Sequence, residues 1–585
     1  MRFLGNILAV IIGIFLFFMI SFFGLVLVAA IAGSGTDEVR VKKNSILELD
    51  LAGVSMDYGG KSIYKEFDYA EVNHNGVFDI VRAIEAAADD ERIMGISILN
   101  NFSELGFAQT RAVRGALEKF RKSGKFVYSY ASVYTQKDYY LNSVADSVYI
   151  NPVGNFDFKG LSSEVMFFKD LQDKSGINIE VVRHGKYKSA VEPFLQNSMS
   201  EANREQLTEL LRSIWDAMAA DIAKSRKIPV GMLDSIANGQ LARTPEMAKS
   251  TKLIDVIGYE DQYNDMIRKR LGVEPDTKFN RVKILDYAEK TGNTSGEYAK
   301  EKIAVVYAQG EILSGEGSEA YIGEGSMRRA LREARRDKNV KAVVLRVDSP
   351  GGSALTSELI WREIELTKKK KPVVVSMGNL AASGGYYIAC GGNRIFAEPN
   401  TITGSIGVFG MLPNVTALSK KIGINTEQVS THRNAAGYSP FSPVDPAFRE
   451  LAQQEVERIY TTFLDRVASG RKMQIAQVDS IAQGRIWTGR QALEKGLVDE
   501  IGGLDKAVAE AAKLAKIKKY RIANYPEYEK SFRDLLAGLG VPFISAQQVI
   551  EKEIGAENYK LMQQIRAAAA RTGVQAMMPF EMVIR

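Results

Sequence analysis

A chain of 585 residues is too long for one compact core and leads to an expectation of about two to four domains. Its 76 Lys and Arg against 70 Asp and Glu give a net charge of +6 without a concentrated basic block, which argues against a phosphate-tracking surface, so nucleic acid is not an expected partner. A single cysteine, Cys390, excludes an intrachain disulfide, and three histidines are too few to build a histidine metal centre.

The N-terminus departs from this ordinary composition. From Ile7 to Ala32 no charge interrupts a run rich in Leu, Ile, Val and Phe, broken only by small residues such as Gly13 and Gly24. At about 1.5 Å per residue it is long enough to cross a hydrocarbon core of roughly 30 Å, so residues 1–33 are expected to be a single-pass anchor, with lipid contacting 7–32. The alternative is a signal peptide cleaved near Ala30 and Ala32, but the apolar stretch is well beyond the usual ~7 to 15 residues of such a segment. Arg2 precedes the run while Arg40, Lys42 and Lys43 follow it, so local charge does not set the orientation.

Beyond the anchor the chain is written twice. Lys125–Gly160 tracks Lys371–Gly407 with a shift of 247 over most of its length, and Gly176-Ile177-Asn178 meets Gly423-Ile424-Asn425 at the same shift. Further on, Asp234-Ser235-Ile236-Ala237 answers Asp479-Ser480-Ile481-Ala482, and Asp255-Val256-Ile257-Gly258 answers Asp499-Glu500-Ile501-Gly502. Matches in the same order mean two copies of one unit, here 45–275 and 301–519, with a polar linker at 276–300 and an extension, 520–585, that matches nothing internal.

Each copy opens on a β-rich run, Ile46–Leu51 and Ile303–Ala308. Ile80, Ile84 and Ala87 at one-face spacing predict an amphipathic helix after the first of these. In the second copy a buried strand, Ala342–Val347, runs into the breaker cluster Asp348-Ser349-Pro350-Gly351-Gly352. A helix over about 354–368, a strand over Pro372–Ser376, a Gly/Ala-rich turn and a strand around Arg394–Ala397 follow. Strands alternating with helices predict an α/β core of repeated β-β-α units, with long helices near 201–225 and 446–469 projecting as arms.

The copies differ most where small residues crowd. Asn379-Leu380-Ala381-Ala382-Ser383-Gly384-Gly385-Tyr386-Tyr387 presents a serine entering a helix among neighbours with almost no side chain. Small neighbours admit a substrate backbone, and a helix start offers amides to a developing negative charge. The first copy has lost both this serine, replaced by Gln136 or Lys137, and the Ser349-Pro350-Gly351-Gly352 turn, replaced by Phe102-Ser103-Glu104-Leu105. A purely structural requirement would be common to both copies. As a base for Ser383, His432 is the only histidine of the second copy but lies in a polar loop; Lys188, followed by Ser189, Ala190 and Val191, is the stronger candidate. The aligned position in the second copy is Ala435, so the copies keep complementary parts of one site.

These second-copy motifs, together with Tyr187-Lys188-Ser189-Ala190-Val191-Glu192-Pro193-Phe194, resemble the long form of the signal peptide peptidase A family, the protease IV family, whose fold is like the Clp protease and the crotonases. The resemblance implies tandem ClpP/crotonase-like domains, Ser383 as nucleophile, Lys188 as general base and acid, the amides of Gly351 and Gly384 as oxyanion hole, and Ser405 as a support for the lysine. It also implies a membrane-bound serine endopeptidase without cofactor or metal, a homotetramer of the bacterial cytoplasmic membrane that degrades remnant signal peptides and similar apolar peptides outside the cytoplasm. Two rivals stand beside it: a crotonase-like acyl-CoA hydratase or isomerase, which needs a catalytic carboxylate near the hole, and a non-catalytic membrane scaffold.

Overall fold

The computed structural model describes residues 11–24, 41–64, 69–99, 102–292, 299–432, 434–530 and 574–577. Residues 11–24 form an exposed apolar helix. Among the described residues no helix is long and apolar enough to cross a membrane, and the remainder of the expected anchor lies outside them.

Two sheets carry the two copies. In the first, strands run in the order Val256–Ile257, Ser147–Phe156, Phe126–Tyr134, Ile93–Ile98, Ser45–Leu49 and Arg281–Lys283, all parallel. The second repeats this plan: Glu500–Ile501, Arg394–Ala397, Val373–Ala382, Val340–Ser349, Lys302–Gln309 and Arg521–Tyr525, again parallel, with Ile402–Gly404 and Ile486–Thr488 continuing the upper edge of Val373–Ala382. Helices cover the faces, so central strands such as Lys302–Gln309 are buried on both sides and read as unbroken apolar runs.

Polar details are repeated as faithfully as the strands. Lys125 Nζ donates to the carbonyls of Ala87 and Asp90, and Lys371 Nζ to those of Ala334 and Asp337. Buried Tyr139 and Tyr386 each donate a hydroxyl to a main-chain carbonyl, of Leu253 and Leu497. Arg226 grips Asp255 through two nitrogens, as Arg471 grips Asp499. Each long arm helix, Glu201–Arg226 and Pro446–Arg471, ends in that arginine and a left-handed lysine, Lys227 or Lys472.

The repeats are longer than the sequence periodicity suggests. Within the segment expected to be a linker, Arg281–Lys283 is an edge strand on Ser45–Leu49, and the helix Ile284–Gly292 packs on Val77–Asp89 with Tyr287 and Ala288 buried. Arg521–Tyr525, expected to begin the extension, is the matching edge strand on Lys302–Gln309. Short edge strands carry polar residues on their exposed side, which hid both from a reading based on apolar runs.

A third, mixed sheet joins the repeats. Its order is Tyr321–Gly323, Glu311–Leu313, Gly351–Ser353, Val574–Met577, Val408–Asn414 and Asn178–His184. The last two strands come from different repeats and pair antiparallel over their full length, from Val408↔His184 to Asn414↔Asn178. This pairing brings the end of Asn178–His184, and Lys188 just beyond it, over the second repeat.

Candidate active site

Ser383 stands where the strand Val373–Ala382 gives way to the helix Gly384–Ala389. Its backbone is left-handed, with φ 54° and ψ −115°, a conformation that a non-glycine residue holds only where the surroundings fix it. They do: Ser383 N–H donates to the Gly404 carbonyl at 2.8 Å, and Tyr386 and Tyr387 tie the following turn to Leu497 and Glu358. Glycine is required beyond it, because a Cβ on Gly384 would come 2.7 Å from Ser357 Oγ and one on Gly385 2.7 Å from the Ser349 carbonyl.

Lys188 reaches this serine from the other repeat. Tyr187 N–H donates to the Gln483 carbonyl at 2.8 Å, and Gln206, on the first arm helix, donates to Ser189 Oγ at 2.8 Å and to the Tyr187 carbonyl at 3.2 Å, so both flanks of the lysine are fixed. Two glycines make room for it: a Cβ on Gly484 would come 2.6 Å from the Lys188 nitrogen, and one on Gly407 would come 2.8 Å from Gly484 Cα and 3.2 Å from the lysine Cδ. The amine is fully buried, with Nζ 2.8 Å from Ser383 Oγ, 3.0 Å from Ser405 Oγ and 3.1 Å from the Ser405 carbonyl. Nearby lies an apolar cluster that includes Val191 and Phe409, whose ring centroid is 5.9 Å from Nζ. Burial alone pushes the ammonium well below its ordinary pKa, because among the described residues no carboxylate stands close enough to hold the charge. A neutral amine at hydrogen-bonding distance from a serine hydroxyl is able to take its proton.

Ser405 meets the lysine from a second strained position, φ 50°, pinned by its N–H to the Arg485 carbonyl at 2.7 Å. Gly351, with φ +101°, and Gly352, with φ +153°, form the turn that ends Val340–Ser349. A Cβ on Gly351 would be 2.7 Å from the Gly384 nitrogen, so the two glycines expected to form an oxyanion hole face one small gap. The Gly351 amide also donates to Ser349 Oγ at a long 3.2 Å, a weak bond that an incoming oxyanion would have to displace or share. His432 is exposed and bonded to Thr431 Oγ at 3.0 Å; it is not among the partners of Ser383.

The first repeat shows what became of the second half-site. The equivalence of Tyr139 with Tyr386 places Gln136 at the serine position and Lys137 opposite Gly384, and the Gln136 carboxamide accepts from Lys159 N–H at 3.0 Å and Gly160 N–H at 2.8 Å. Ala435, aligned with Lys188, lies on an exposed turn.

One functional neighbourhood escaped the sequence reading. Arg346 and Asp348 sit inside a strand that is otherwise apolar and buried. Arg346 donates to Asp57 of the first repeat at 2.7 Å, to Ser376 Oγ at 2.8 Å and to the Met377 carbonyl at 2.9 Å. Asp348 accepts from Leu380 N–H at 2.8 Å and from the Asn379 amide at 3.2 Å, while Asn379 Oδ1 caps two amides of the first repeat, at Ala108 and Gln109. Burial and the nearby Asp57 raise the Asp348 carboxyl above its usual range. Charged residues in a doubly buried strand were the available signal, since buried ions require partners. The cluster ties the strand that carries Gly351 to the strand that carries Ser383, and both to the first repeat.

Comparison with known proteins agrees with this arrangement. The sequence model of Peptidase family S49 matches residues 119–274 and 365–518, one stretch in each repeat. "Protease 4" of Haemophilus influenzae is 38% identical over 510 residues, which cover 84% of this chain and 83% of that protein. "Protease 4" of Salmonella typhi is 35% identical over 514 residues, covering 85% and 82%. "Serine protease SPPA, chloroplastic" of Arabidopsis thaliana is 34% identical over 523 residues, covering 88% and 76%. With two family matches in tandem and relatives aligned along most of its length, the chain belongs to peptidase family S49 and is a serine protease.

Proposed function

We propose that this serine protease works by a Ser383–Lys188 dyad and degrades cleaved signal peptides and similar apolar peptides at a membrane. The observation that carries the reading is the 2.8 Å approach of a buried, carboxylate-free lysine amine to a serine held in a strained turn. Neutral Lys188 accepts the Ser383 proton as Oγ attacks the scissile carbonyl. The Gly351 and Gly384 amides receive the oxyanion, and the lysine then returns the proton to the departing amine. Water, activated by the same amine, releases the acyl group. Ser405 orients Nζ through its hydroxyl and carbonyl.

Substrate binds as an extended strand between Gly351–Ser353 and Val408–Asn414, which flank the serine turn, in the place that the chain's own Val574–Met577 holds in this structure. Apolar side chains suit the cluster of Val181, Ala190, Val191, Phe409 and Met411 beside it. The name of one further relative, "Putative signal peptide peptidase SppA" of Enterococcus faecium, 38% identical over 199 residues, supports the same substrate class. The repeats are read as ClpP/crotonase-like units on their parallel sheets and glycine turns. The apolar run 7–32 is read as a retained anchor in a bacterial cytoplasmic membrane, with the catalytic part outside the cytoplasm.

Assembly as a homotetramer is supported by an asymmetry between the repeats. Asn178–His184 of the first repeat pairs with Val408–Asn414 of the second, yet their counterparts 425–431 and 161–167 form no strand, and 425–431 is exposed. A head-to-tail contact between chains would pair those two segments as the chain pairs its own, and such contacts make a closed ring when the rotation between neighbours divides a full turn. The dyad is tested with a fluorophosphonate probe and an apolar reporter peptide: labelling maps to Ser383 and is lost with hydrolysis in Lys188→Ala. Labelling at another serine, or undiminished hydrolysis in Lys188→Ala, would refute it.

A further inference from the structure

Tyr187, which directly precedes Lys188, is gripped by an arginine of the other repeat. The guanidinium carbon of Arg485 lies 4.7 Å from the Tyr187 ring centroid and 4.6 Å from that of Trp487. Its Nη1 donates to Tyr187 Oη at 3.2 Å, and its Nη2 meets Glu209 at 2.7 Å and Glu205 at 3.0 Å, both on the first arm helix. Its Nε is buried without a hydrogen-bond partner among the described residues, so ring contacts as well as hydrogen bonds hold the group. The carbonyl of the same residue accepts the Ser405 N–H, and that of Gln483 accepts the Tyr187 N–H. Residues 483–485 therefore reach both the base and the serine that meets it. Lys495 Nζ lies 5.0 Å from the Trp487 ring centroid, and Arg183 donates to the Lys188 carbonyl at 3.4 Å. The first repeat lacks this device: continuing the match of Asp234-Ser235-Ile236-Ala237 with Asp479-Ser480-Ile481-Ala482 sets Gln240 opposite Arg485 and Ala242 opposite Trp487. A need of the fold alone would be common to both.

We infer that Arg485 is a positioning residue for the base. Held between Tyr187 and Trp487 and anchored to Glu205 and Glu209, it clamps the Lys188 segment of one repeat onto the Ser405 turn of the other, and so sets the reach of Nζ towards Ser383. The inference rests on the dyad proposed above. Among the described contacts the Arg485 side chain bonds to neither Ser383 nor the lysine amine, so it acts through the backbone at 187–188. That backbone lies between the strand Asn178–His184 and the short turn Ser189–Val191, outside regular structure, and its place depends on what flanks it. With the clamp open, Nζ stands further from Ser383 and nearer water. The first change slows proton transfer, and the second restores hydration to an amine whose pKa is lowered by burial.

Steady-state hydrolysis of an apolar reporter peptide by the full chain, followed across pH, is the test. Arg485→Gln, which installs the first-repeat residue, should lower kcat by about 10- to 100-fold with KM within about twofold. The ionisation in kcat/KM should move up, towards the ordinary lysine value, by at least about half a pH unit. Arg485→Lys keeps a charge against Glu205 and Glu209 but not the flat group between the rings, and should recover less than about half of the lost kcat. Tyr187→Leu should reproduce the Arg485→Gln defect, and combining the two should cost less than about threefold more, because one clamp is already open. Full activity in Arg485→Lys, additive losses in the double variant, a loss confined to KM, or a lower kcat with an unmoved pH profile would each overturn the inference. Arg485→Lys and Tyr187→Leu carry the same decision if Arg485→Gln does not fold. Wild-type kinetics in Arg485→Gln beside an inactive Lys188→Ala would sink the clamp and leave the dyad standing; undiminished hydrolysis in Lys188→Ala would remove the dyad and the clamp with it.

Discussion

Gly484 and Lys188, from different repeats, touch so closely that a Cβ on the glycine would stand 2.6 Å from the lysine backbone nitrogen and 2.7 Å from its Cα and Cβ. Gly484 also has φ +79°, a region that disfavours alanine. Gly484→Ala must therefore shift the base away from Ser383, and a displacement of even about 1 Å at a reacting pair costs on the order of 100-fold. We expect kcat to fall by that order with KM nearly unchanged. Steady-state kinetics alongside far-UV circular dichroism checks this; an unchanged kcat would show that the lysine is positioned by something else.

Ser383→Ala and Lys188→Ala should each lower kcat/KM by about 10³-fold or more, because Lys188 supplies the only basic side chain among the described partners of the Ser383 hydroxyl. His432→Ala should stay within about twofold, since it is exposed and its ring is bonded only to Thr431 among the described contacts. The decisive measurement is initial-rate hydrolysis of a single reporter peptide by all three purified variants.

The depressed pKa of Lys188 fixes the sign of two pH effects. In the proposed dyad the active form is the neutral amine, so kcat/KM should rise with pH through one ionisation below the ordinary lysine value and then level off. A maximum in mildly acidic solution would contradict a lysine base. For stability, a folded pKa below the unfolded one gives a contribution that is complete above the unfolded value, near ~10.4, and is lost as pH falls through the folded value. Lys188→Met should thus be more stable than wild type at neutral pH, by a few degrees in melting temperature, and the gap should shrink as pH approaches ~10. A gap independent of pH would mean that the buried amine is not the source.

Arg346 stands between Asp57 and Asp348, and both Arg346 and Asp57 are almost wholly buried. Arg346→Met removes the charge that offsets two enclosed carboxylates and should cost about 3–5 kcal/mol in urea denaturation near neutrality. Asp348, whose pKa is raised by burial and by Asp57, is protonated more readily than a free carboxyl. Its unfavourable charge is relieved as pH falls through that raised value, so the variant should recover part of the loss in mildly acidic solution.

Lys188 and Ser383 belong to one chain and lie 195 positions apart. Co-expressed Lys188→Ala and Ser383→Ala chains should therefore give inactive mixtures, because neither chain completes a site. Recovery of even about one tenth of wild-type turnover would assign the site to two chains.

The amino-acid sequence by itself determined the duplication, the alternation of strands and helices, and the complementary loss of Ser383 in one copy and Lys188 in the other. These are legible because apolar periodicity and small-residue turns are local, and a gene duplication leaves them in register. The edge strands Arg281–Lys283 and Arg521–Tyr525 were not, since a three- to five-residue strand with polar neighbours acquires its identity only from the strand it joins. Nor was the identity of the serine counterpart, which the shared tyrosine contacts resolve in favour of Gln136. Only the tertiary structure decided that the amine of Lys188 is dry, that Gly407 and Gly484 make room for it, and that Val574–Met577 lies across the serine turn. Burial, close approach and strand pairing between distant segments depend on how the two repeats dock, and that docking is set by many weak contacts spread across both, none of which leaves a pattern in the local sequence.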